Sequence, residues 1–234
     1  MRHNDPAVVA REYATEKGLL GRRAAYQWSE GPDPREMAFQ AVAEVAPRRV
    51  LEVGPGPGEL SFRIQTELGA DVVAVDISER MVELTRDRGI EAIVGDVQDL
   101  PFADGSFDCA VAAWMLYHVP DVERGITELA RVVRPGGRLV AVANGADHWD
   151  GLRELVTDRR SELCFTAENG AELLGRSFAR VERRDATGWI VFPDRRAAQE
   201  FVASAMTLDG ELPEFDGPLR VRRSPYVFVA EQAP

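Results

Sequence analysis

Short apolar runs alternate with amphipathic segments through the middle of the chain. The run at 50–53 is continuous and β-prone, which is typical of a strand covered on both faces. Comparable runs follow at 72–75, 91–94, 107–113 and 138–144. Between them, apolar residues recur at helical spacing, and Ser78 and Asp121 stand where helix N-caps are expected. Strands that alternate with helices in this way predict a parallel sheet with right-handed crossovers.

The two ends of the chain carry weaker patterns. A helix is predicted over 6–13, and a second helix ends before Pro47. After Asn144 the pattern predicts, in order, a helix over 149–160, a strand over 178–185, a helix capped by Asp194, an exposed loop over 211–217 and a last strand over 225–230. We expect a single domain over 1–234, with a helical segment at 1–46, a core at 47–145 and the second half of the sheet at 146–234.

Charge and composition narrow the possible partners. The 234 residues carry a formal net charge of −11, which works against binding nucleic acid. Arginine clusters at 22–23, 159–160 and 220–223 are expected to be solvated surface charge. No apolar stretch approaches the ~18 residues of a membrane span, and no signal peptide is visible, so a cytoplasmic location is expected. The pattern does not indicate an oligomeric state.

The two cysteines and the few histidines form no metal-binding pattern. Cys109 and Cys164 lack the spacing of a metal site, and Cys109 is expected to be a buried thiol within an apolar run. No cluster of histidines and carboxylates resembles a metal centre. We therefore expect no metal.

A glycine-rich loop follows the first run directly, at 54–58, and leads into a helix. Its three glycines let the backbone turn sharply and approach a ligand closely, while its two prolines restrict φ. Asp76 follows Gly58 by 18 residues, at the end of the next apolar run. This layout is typical of a nucleoside-binding βαβ unit, in which the acid holds the ribose hydroxyls.

These segments resemble the class I S-adenosylmethionine (SAM)-dependent methyltransferases, in particular the small-molecule methyltransferases of type 11. The segment 50–60 resembles motif I of that family, and 72–78 resembles the acid-bearing motif after it. Further matches at 95–102, 106–108 and 134–139 follow in the expected order. The resemblance implies an α/β, Rossmann-like fold. Its seven-stranded, mostly parallel sheet has an antiparallel last strand, and an N-terminal helical lid covers the pocket.

The same loop argues against a dinucleotide. A G-x-G-x-x-G fingerprint beginning at Gly54 needs a glycine at position 59, where this chain has Glu59. Its carboxylate would meet a pyrophosphate, whereas SAM presents a sulfonium and an amino acid tail. NAD is the poorer fit, and SAM is the expected cofactor.

The resemblance implies a role for each residue beyond the carboxyl ends of the strands. Asp76 would accept the ribose hydroxyls, and Ile77 would pack on the adenine face. Asp96 would take the adenine amino group, Val97 would donate its backbone N–H to the ring, and Glu52 would orient the methionine end. The full expected cofactor set is Glu52, Gly54, Pro55, Gly56, Gly58, Asp76, Ile77, Asp96, Val97, Ala112, Ala113 and Trp114. Turn or cap roles for the two aspartates stay open as alternatives.

Two of the three histidines follow strands at the same edge. Methyl transfer needs an in-line nucleophile held near ~3 Å, and a base only where the acceptor must lose a proton. His118 and His148 are the candidate catalytic residues, because imidazole can act as a base at neutral pH. His118 could instead fix its loop, and His148 could begin the next helix. The candidate lid and substrate residues are Tyr13, Tyr26, Trp28, Tyr117 and Asn144, with ordinary packing as the alternative.

The leading hypothesis is a SAM-dependent methyltransferase that acts on oxygen or nitrogen of a small molecule, with secondary metabolism as its setting. Aromatic lid residues would suit a flat or glycosidic acceptor, and the acid-rich surface would tolerate a cationic one such as an amino sugar. The alternatives are an RNA or tRNA methyltransferase and a non-catalytic SAM-binding protein. No Asn/Asp-Pro-Pro-Tyr/Phe motif follows the fourth run, which disfavours methylation of adenine amino groups.

Overall fold

The computed structural model of the protein describes residues 4–158, 163–206 and 208–234. Within these ranges the helices are α1 (Pro6–Glu12), α2 (Lys17–Ala24), α3 (Pro34–Ala43), α4 (Glu59–Leu68), α5 (Glu79–Arg86), α6 (Val122–Val132), α7 (Gly170–Gly175) and α8 (Arg195–Ser204). The strands are β1 (Ser29–Glu30), β2 (Arg49–Val53), β3 (Asp71–Asp76), β4 (Glu91–Val94), β5 (Phe107–Ala113), β6 (Val133–Asn144), β7 (Thr157–Asp158), β8 (Arg180–Asp185), β9 (Gly188–Phe192), β10 (Leu208–Asp209), β11 (Leu219–Arg223) and β12 (Pro225–Glu231).

Seven strands form the main sheet, in the spatial order β4-β3-β2-β5-β6-β12-β8. Strands β2 to β6 pair in parallel, whereas β12 is antiparallel to both β6 and β8. The chain runs outward from β2 to β4 and then returns to the other side of β2 with β5. This reversal creates the switch point at which an open parallel sheet binds ligands. The predicted α/β, Rossmann-like fold with an antiparallel last strand is confirmed.

Helices cover both faces of this sheet, which explains why its strands are apolar at successive positions. Val72 and Val73 are neighbours in β3, yet they pack into opposite layers. Val72 lies with Phe39 of α3, and Val73 lies with Ile126 of α6. Full burial of a side chain of this size stabilises the fold by about 1.5–3 kcal/mol.

The helix starts that were predicted from capping residues are confirmed. The side chains of Ser78, Asp121 and Asp194 each accept a hydrogen bond from the backbone amide three residues further on, at 3.3, 3.1 and 2.8 Å. Each cap satisfies a backbone donor that the first turn of α5, α6 or α8 would leave without a partner.

Two predictions for the second half of the chain need correction. The helix predicted over 149–160 is wrong: turns extend to residue 155, and β7 then pairs with β10. Trp149 and Gly151 have φ of 69° and 90°, which an α-helix does not allow, and residues 159 and 160 lie outside the described ranges. Strand β6 begins at Val133 rather than at Arg138, because the intervening residues form a bulge against β5 instead of a separate turn.

A second, three-stranded sheet with the order β1-β9-β11 was not predicted. Arg223 is the last residue of β11, and its side chain is fully buried. It donates hydrogen bonds to the carbonyl oxygens of Ala186, Glu30 and Pro32 at 2.9, 3.0 and 2.7 Å. The expectation of surface charge at this arginine is therefore wrong. Because β11 continues into β12 of the main sheet through Ser224 alone, we propose that both sheets belong to the single domain expected over 1–234.

None of the helices in the described ranges is long and apolar enough to span a membrane.

Candidate active site

A cavity of about 650 Å³ opens at the carboxyl ends of the parallel strands, beside the switch point. Most of the residues predicted for the site line it. They are Tyr13, Tyr26, Glu52, Gly54, Pro55, Gly56, Asp76, Ile77, Asp96, Val97, Ala113, Trp114, Tyr117, His118, Asn144 and His148. Residues that are distant in the sequence therefore meet at one place, as the strand topology requires.

Three residues of the predicted set do not line the cavity. Gly58 caps α4 behind the loop with φ of 76°, and a Cβ there would lie 2.9 Å from the side chain of Thr85. Ala112 is fully buried within β5. Trp28 packs instead against Phe192 of the second sheet, with ring centroids 5.8 Å apart. Gly58 and Ala112 support the cavity wall from behind, whereas Trp28 contributes to another core.

The glycine-rich loop is held in a single shape by its neighbours. The Gly54 amide donates to the carbonyl of Val75 at 2.8 Å, and the Thr85 hydroxyl donates to the carbonyl of Gly56 at 3.0 Å. Gly54 has φ of 64°, and a Cβ there would lie 2.7 Å from Cβ of Met115. A glycine is therefore required at this position for both conformation and space.

Asp76 ends β3 and directs a largely buried carboxylate at the cavity. The Ser78 amide donates to its Oδ1 at 2.9 Å. Burial is the main cause that raises its pKa to about 6, because the charged form loses water. A carboxylate in this state gains most from a ligand that supplies donors, such as the two hydroxyls of a ribose. Ile77 beside it is 56% exposed on the cavity rim, where an apolar side chain is available to a ring face.

Asp96 follows β4, and its carboxylate makes the turn contacts that the sequence left open as an alternative. The backbone and side-chain nitrogens of Gln98 donate to its carboxylate at 2.9–3.1 Å, which is turn chemistry. The same carboxylate lines the cavity. The turn thus holds the Asp96 carboxylate at the cavity wall, and its role towards adenine stays a prediction.

Glu52 is buried within β2 at the base of the cavity and is only 2% exposed. The Ser61 hydroxyl donates a hydrogen bond to its Oε2. Burial, opposed by this hydrogen bond, raises the pKa of Glu52 to about 7. The side chain can therefore change its charge near neutral pH in response to a cation placed next to it.

The N-terminal segment lies over the glycine loop, and polar contacts join it to the core. The Ser78 hydroxyl donates to the carbonyl of Tyr13 at 2.9 Å, and Arg80 forms two hydrogen bonds to Glu16 at 3.1 Å. Arg23 lies 2.6 Å from Glu59 at the start of α4. The segment therefore roofs the cavity in this structure, in the position where the resemblance implies a lid.

Tyr13 and His118 form a pair inside the roofed cavity. The Tyr13 hydroxyl lies 3.0 Å from Nε2 of His118, and the two rings meet edge to face. Burial raises the pKa of Tyr13, so the phenol keeps its proton at neutral pH. In the tautomer that carries its proton on Nδ1, His118 accepts this hydrogen bond on Nε2. The pair joins a ring nitrogen of His118 to the N-terminal segment.

His148 is arranged differently. The Ser224 amide donates to its Nδ1 at 2.9 Å, so that nitrogen acts as an acceptor. A neutral imidazole that accepts on Nδ1 carries its proton on Nε2. His148 is thereby fixed as a donor on Nε2, and His118 is the better candidate for a base.

The arginines of the N-terminal segment were missed as site residues. Arg22 and Arg23 were expected to be surface charge, but both line the cavity, with side chains 21% and 23% exposed. Arg35 lines it too, with its guanidinium 4.9 Å from the centroid of the Tyr26 ring. The signal that could have found Arg22 and Arg23 is their place between the aromatic residues already assigned to the lid. In the part of the chain that the structure describes, no group of three or more metal-ligating side chains is found.

The chain is similar to known methyltransferases in sequence. A family described as a methyltransferase domain matches residues 51–141, which contain the glycine loop and strands β3 to β5. The chain is 42% identical over 187 residues to a demethylmenaquinone methyltransferase of Clavibacter sepedonicus, a match that covers 67% of this chain and 76% of that protein. It is 35% identical over 152 residues to the enzyme of the same name from Renibacterium salmoninarum, covering 64% of this chain and 61% of that protein.

Solved structures share the fold at low sequence identity. A phosphoethanolamine N-methyltransferase of Haemonchus contortus, in complex with S-adenosylhomocysteine (SAH), superposes with a TM-score of 0.68 at 16% identity, covering all of this chain and 61% of that one. A possible histamine N-methyltransferase of Thermotoga maritima gives a TM-score of 0.58 at 23% identity, covering 93% of this chain and 94% of the other. These similarities concern the fold alone.

Proposed function

We propose that this chain, which belongs to the class I SAM-dependent methyltransferases, methylates an oxygen or nitrogen atom of a flat small molecule. The enzyme uses SAM as its cofactor. The observation that carries the acceptor part of the proposal is the Tyr13–His118 pair. It lies under the N-terminal segment in the same cavity as Asp76.

The residues of the cavity fit SAM at both ends. The buried carboxylate of Asp76 would accept the ribose hydroxyls, and the exposed Ile77 would cover the adenine ring. The methionine end would lie over the glycine loop, where Glu52 offers a carboxylate beneath the amino group. When bound, SAM supplies an activated methyl group, so the protein has only to hold the acceptor in line and manage a proton.

His118 is the base in this proposal. An acceptor hydroxyl or amine loses its proton as the new bond to the methyl group forms, and Nε2 of His118 receives that proton once the acceptor has displaced the Tyr13 hydroxyl from this nitrogen. Tyr13 orients that nitrogen through its hydroxyl. Because Tyr13 belongs to the roof, the base is correctly oriented only when the roof is in place.

The shape of the cavity favours a flat acceptor of limited size. Its walls carry the rings of Trp114, Tyr117, Tyr26 and Trp149. The indole Nε1 of Trp114 donates to Oδ1 of Asn144 at 3.1 Å, which fixes the orientation of this ring. A roofed, ring-lined cavity and a net charge of −11 both disfavour RNA, whose backbone needs an open basic surface.

The similarity to the two demethylmenaquinone methyltransferases supports a second candidate within the same class. Their name states that they act on demethylmenaquinone, a small molecule. Demethylmenaquinone is therefore the first acceptor to test. The chain covers 76% and 61% of these two relatives, so their substrate is a proposal for this chain.

A transfer assay with methyl-labelled SAM tests the function directly. The acceptors are demethylmenaquinone, a panel of phenols and aryl amines, and bulk tRNA. We expect label in the solvent-extractable fraction, and none when Asp76→Ala removes the ribose contact. Label in tRNA would instead identify an RNA methyltransferase. Tight SAM binding with no transfer to any component of a cell extract would identify a non-catalytic binding protein.

A further inference from the structure

Four arginines of the described chain line the cavity, and three of them are neutralised by a carboxylate. Arg22 lies 2.5 Å from Glu12, Arg23 lies 2.6 Å from Glu59, and Arg63 lies 2.6 Å from Glu36. Arg35 is the fourth, and none of the described carboxylates forms an ion pair with it. Among the described arginines that line the cavity, Arg35 is thus the one without an ion-pair partner.

Backbone and aromatic contacts fix the position of Arg35, although none of the carboxylates in the described ranges pairs with it. The residue lies in the first turn of α3, and its backbone amide donates to Oδ1 of the N-cap Asp33 at 2.8 Å. Its guanidinium lies 4.9 Å from the centroid of the Tyr26 ring and 6.0 Å from that of Trp114. The two rings hold the cation in the wall at the negative faces of their π systems.

A half-buried guanidinium without a counter-ion at a ligand cavity favours an anionic ligand group. Removal of a charge from water is costly unless an opposite charge compensates it, and the planar guanidinium matches a carboxylate with two parallel hydrogen bonds. Trp114 follows the end of β5, and Arg23, which interacts electrostatically with Arg35, reaches the start of α4. Arg35 therefore lies beside the end of the cavity where the methionine part of the cofactor is expected.

We propose that Arg35 is the carboxylate-binding residue of this cavity. SAM brings a carboxylate to this end on its methionine tail, and an acidic acceptor could bring another. Either source would give the guanidinium of Arg35 an opposite charge. The proposal also disfavours the cationic acceptor, such as an amino sugar, that the acid-rich composition suggested, because Arg35 would repel it.

Two cofactor fragments separate the effect of the carboxylate from other effects. SAH has the methionine-derived tail with its carboxylate, whereas 5′-methylthioadenosine lacks that tail. We expect Arg35→Gln to weaken SAH binding by about 10-fold to 100-fold in calorimetry, in line with the loss of charge-assisted hydrogen bonds. Its affinity for 5′-methylthioadenosine should stay unchanged. Arg35→Lys should be intermediate, since it keeps the charge but loses the paired geometry.

If the carboxylate that Arg35 binds belongs to the acceptor and not to the cofactor, these measurements give a different result. In that case SAH binding stays unchanged in Arg35→Gln, and the SAH complex loses affinity for 4-hydroxybenzoate but not for phenol. Equal weakening of SAH and 5′-methylthioadenosine would overturn the proposal, because it would show general damage to the site. No change with SAH and no change with 4-hydroxybenzoate would overturn it as well.

Arg220 provides a matched control. Its guanidinium lies 4.1 Å from the centroid of the Trp189 ring, so the stacking is similar, but this pair does not line the cavity. Arg220→Gln removes the same charge from an aromatic partner. We expect SAH affinity to stay within about two-fold of the wild type in this variant, since no ligand contact is lost. Unfolding midpoints of both variants without ligand show whether either one is damaged in its fold.

Discussion

The Tyr13 hydroxyl lies 3.0 Å from Nε2 of His118, although the two residues are 105 positions apart in the chain. One belongs to the segment that roofs the cavity, and the other follows the strand at the switch point. The hydrogen bond makes the orientation of the His118 ring depend on the position of the roof. With His118 as the base that we propose, this single contact would couple catalysis to closure.

Substitution of the pair tests this coupling. We expect His118→Gln to lower kcat by about 100-fold to 10,000-fold, which is the usual contribution of a general base. Tyr13→Phe should lower kcat less, because the base remains but loses its orientation. The KM for SAM should change little in both variants. The measurement is steady-state methyl transfer to the acceptor that the labelled assay identifies.

Tyr226 of β12 supplies the control for the lost hydroxyl. It is partly buried, stacks with Arg183 and does not line the cavity. Tyr226→Phe should therefore leave kcat unchanged. A kcat of wild-type size in His118→Gln would remove the base role, and His148 would be the next candidate.

The raised pKa of Asp76 predicts a pH dependence of cofactor binding. Burial raises this pKa to about 6, and the ionised form is the better acceptor for two hydroxyls. We expect SAH affinity to fall as the pH drops below about 6, and SAH binding near that pH to release a proton. Calorimetry in two buffers with different ionisation enthalpies measures both effects.

Asp76→Asn should bind SAH weakly at every pH and lose this pH dependence. Asp96→Asn is the matched comparison, because it also replaces a cavity carboxylate by an amide but leaves Asp76 intact. It should keep the proton release. Persistence of the release in Asp76→Asn would assign it to another group, with Glu52 as the first candidate.

The raised pKa of Glu52 predicts that the stability of the ligand-free protein depends on pH. Its pKa is raised by burial to about 7, so in this range the folded state binds more protons than the unfolded state. The free energy of unfolding contributed by this group therefore falls as the pH rises from about 4.5 to 7, by an amount on the order of 1–3 kcal/mol. Glu52→Gln keeps an oxygen for Ser61 and cannot ionise. Denaturant unfolding at about pH 5 and pH 8 should show that the variant gains stability relative to the wild type at the higher pH.

A change in relative stability of the opposite sign would contradict this explanation of the pKa of Glu52. If the wild type gained stability over Glu52→Gln between the two pH values, the carboxylate would have to be compensated in the ligand-free fold. Arg23 is the cation positioned to do that, and Glu52→Gln combined with Arg23→Gln would identify it.

Local patterns predicted the sheet and its ligand edge well, because these features depend on neighbouring residues. The apolar run of β2, the glycines after it and Asp76 at the end of β3 all carry their signal within a few positions. The caps at Ser78 and Asp121 do so as well. Where a local rule determines the structure, the sequence is sufficient.

The predictions that were wrong or incomplete concern features that depend on contacts between residues distant in the sequence. The burial of Arg223 requires three carbonyls from segments that are 37 to 193 positions away, and no pattern around the arginine encodes them. Leu152, Leu155 and Val156 have helical spacing, yet the φ of 90° at Gly151 interrupts a helix there. The contact between Tyr13 and His118 was invisible for the same reason, although each residue was a candidate by itself.

Two glycines separate the cost of backbone strain at positive φ from the cost of steric overlap of an added Cβ. Gly54 and Gly69 have nearly the same φ, 64° and 68°, but a Cβ would meet Met115 at 2.7 Å only at Gly54. Gly69→Ala should cost about 1 kcal/mol of stability through backbone strain alone. Gly54→Ala should cost about 1–3 kcal/mol more, because the methyl group overpacks the loop, and SAH binding should be lost. Equal costs for the two variants would show that Met115 moves aside freely.

The contacts between the roof and the core are expected to control the rate at which SAH leaves the cavity. Arg80 and Glu16 are 38% and 32% exposed, so their ion pair is expected to add little to global stability. Their effect should instead appear in the opening of the roof. We expect Arg80→Gln to raise the dissociation rate of SAH by about three-fold to ten-fold, while the unfolding midpoint stays unchanged. Arg196→Gln breaks an exposed arginine–glutamate pair on α8 and should change neither quantity. If the two variants release SAH at the same rate, the contact between Arg80 and Glu16 does not hold the roof closed, and closure depends on other contacts of the roof, such as those of Ser78, Arg23 and the Tyr13–His118 pair.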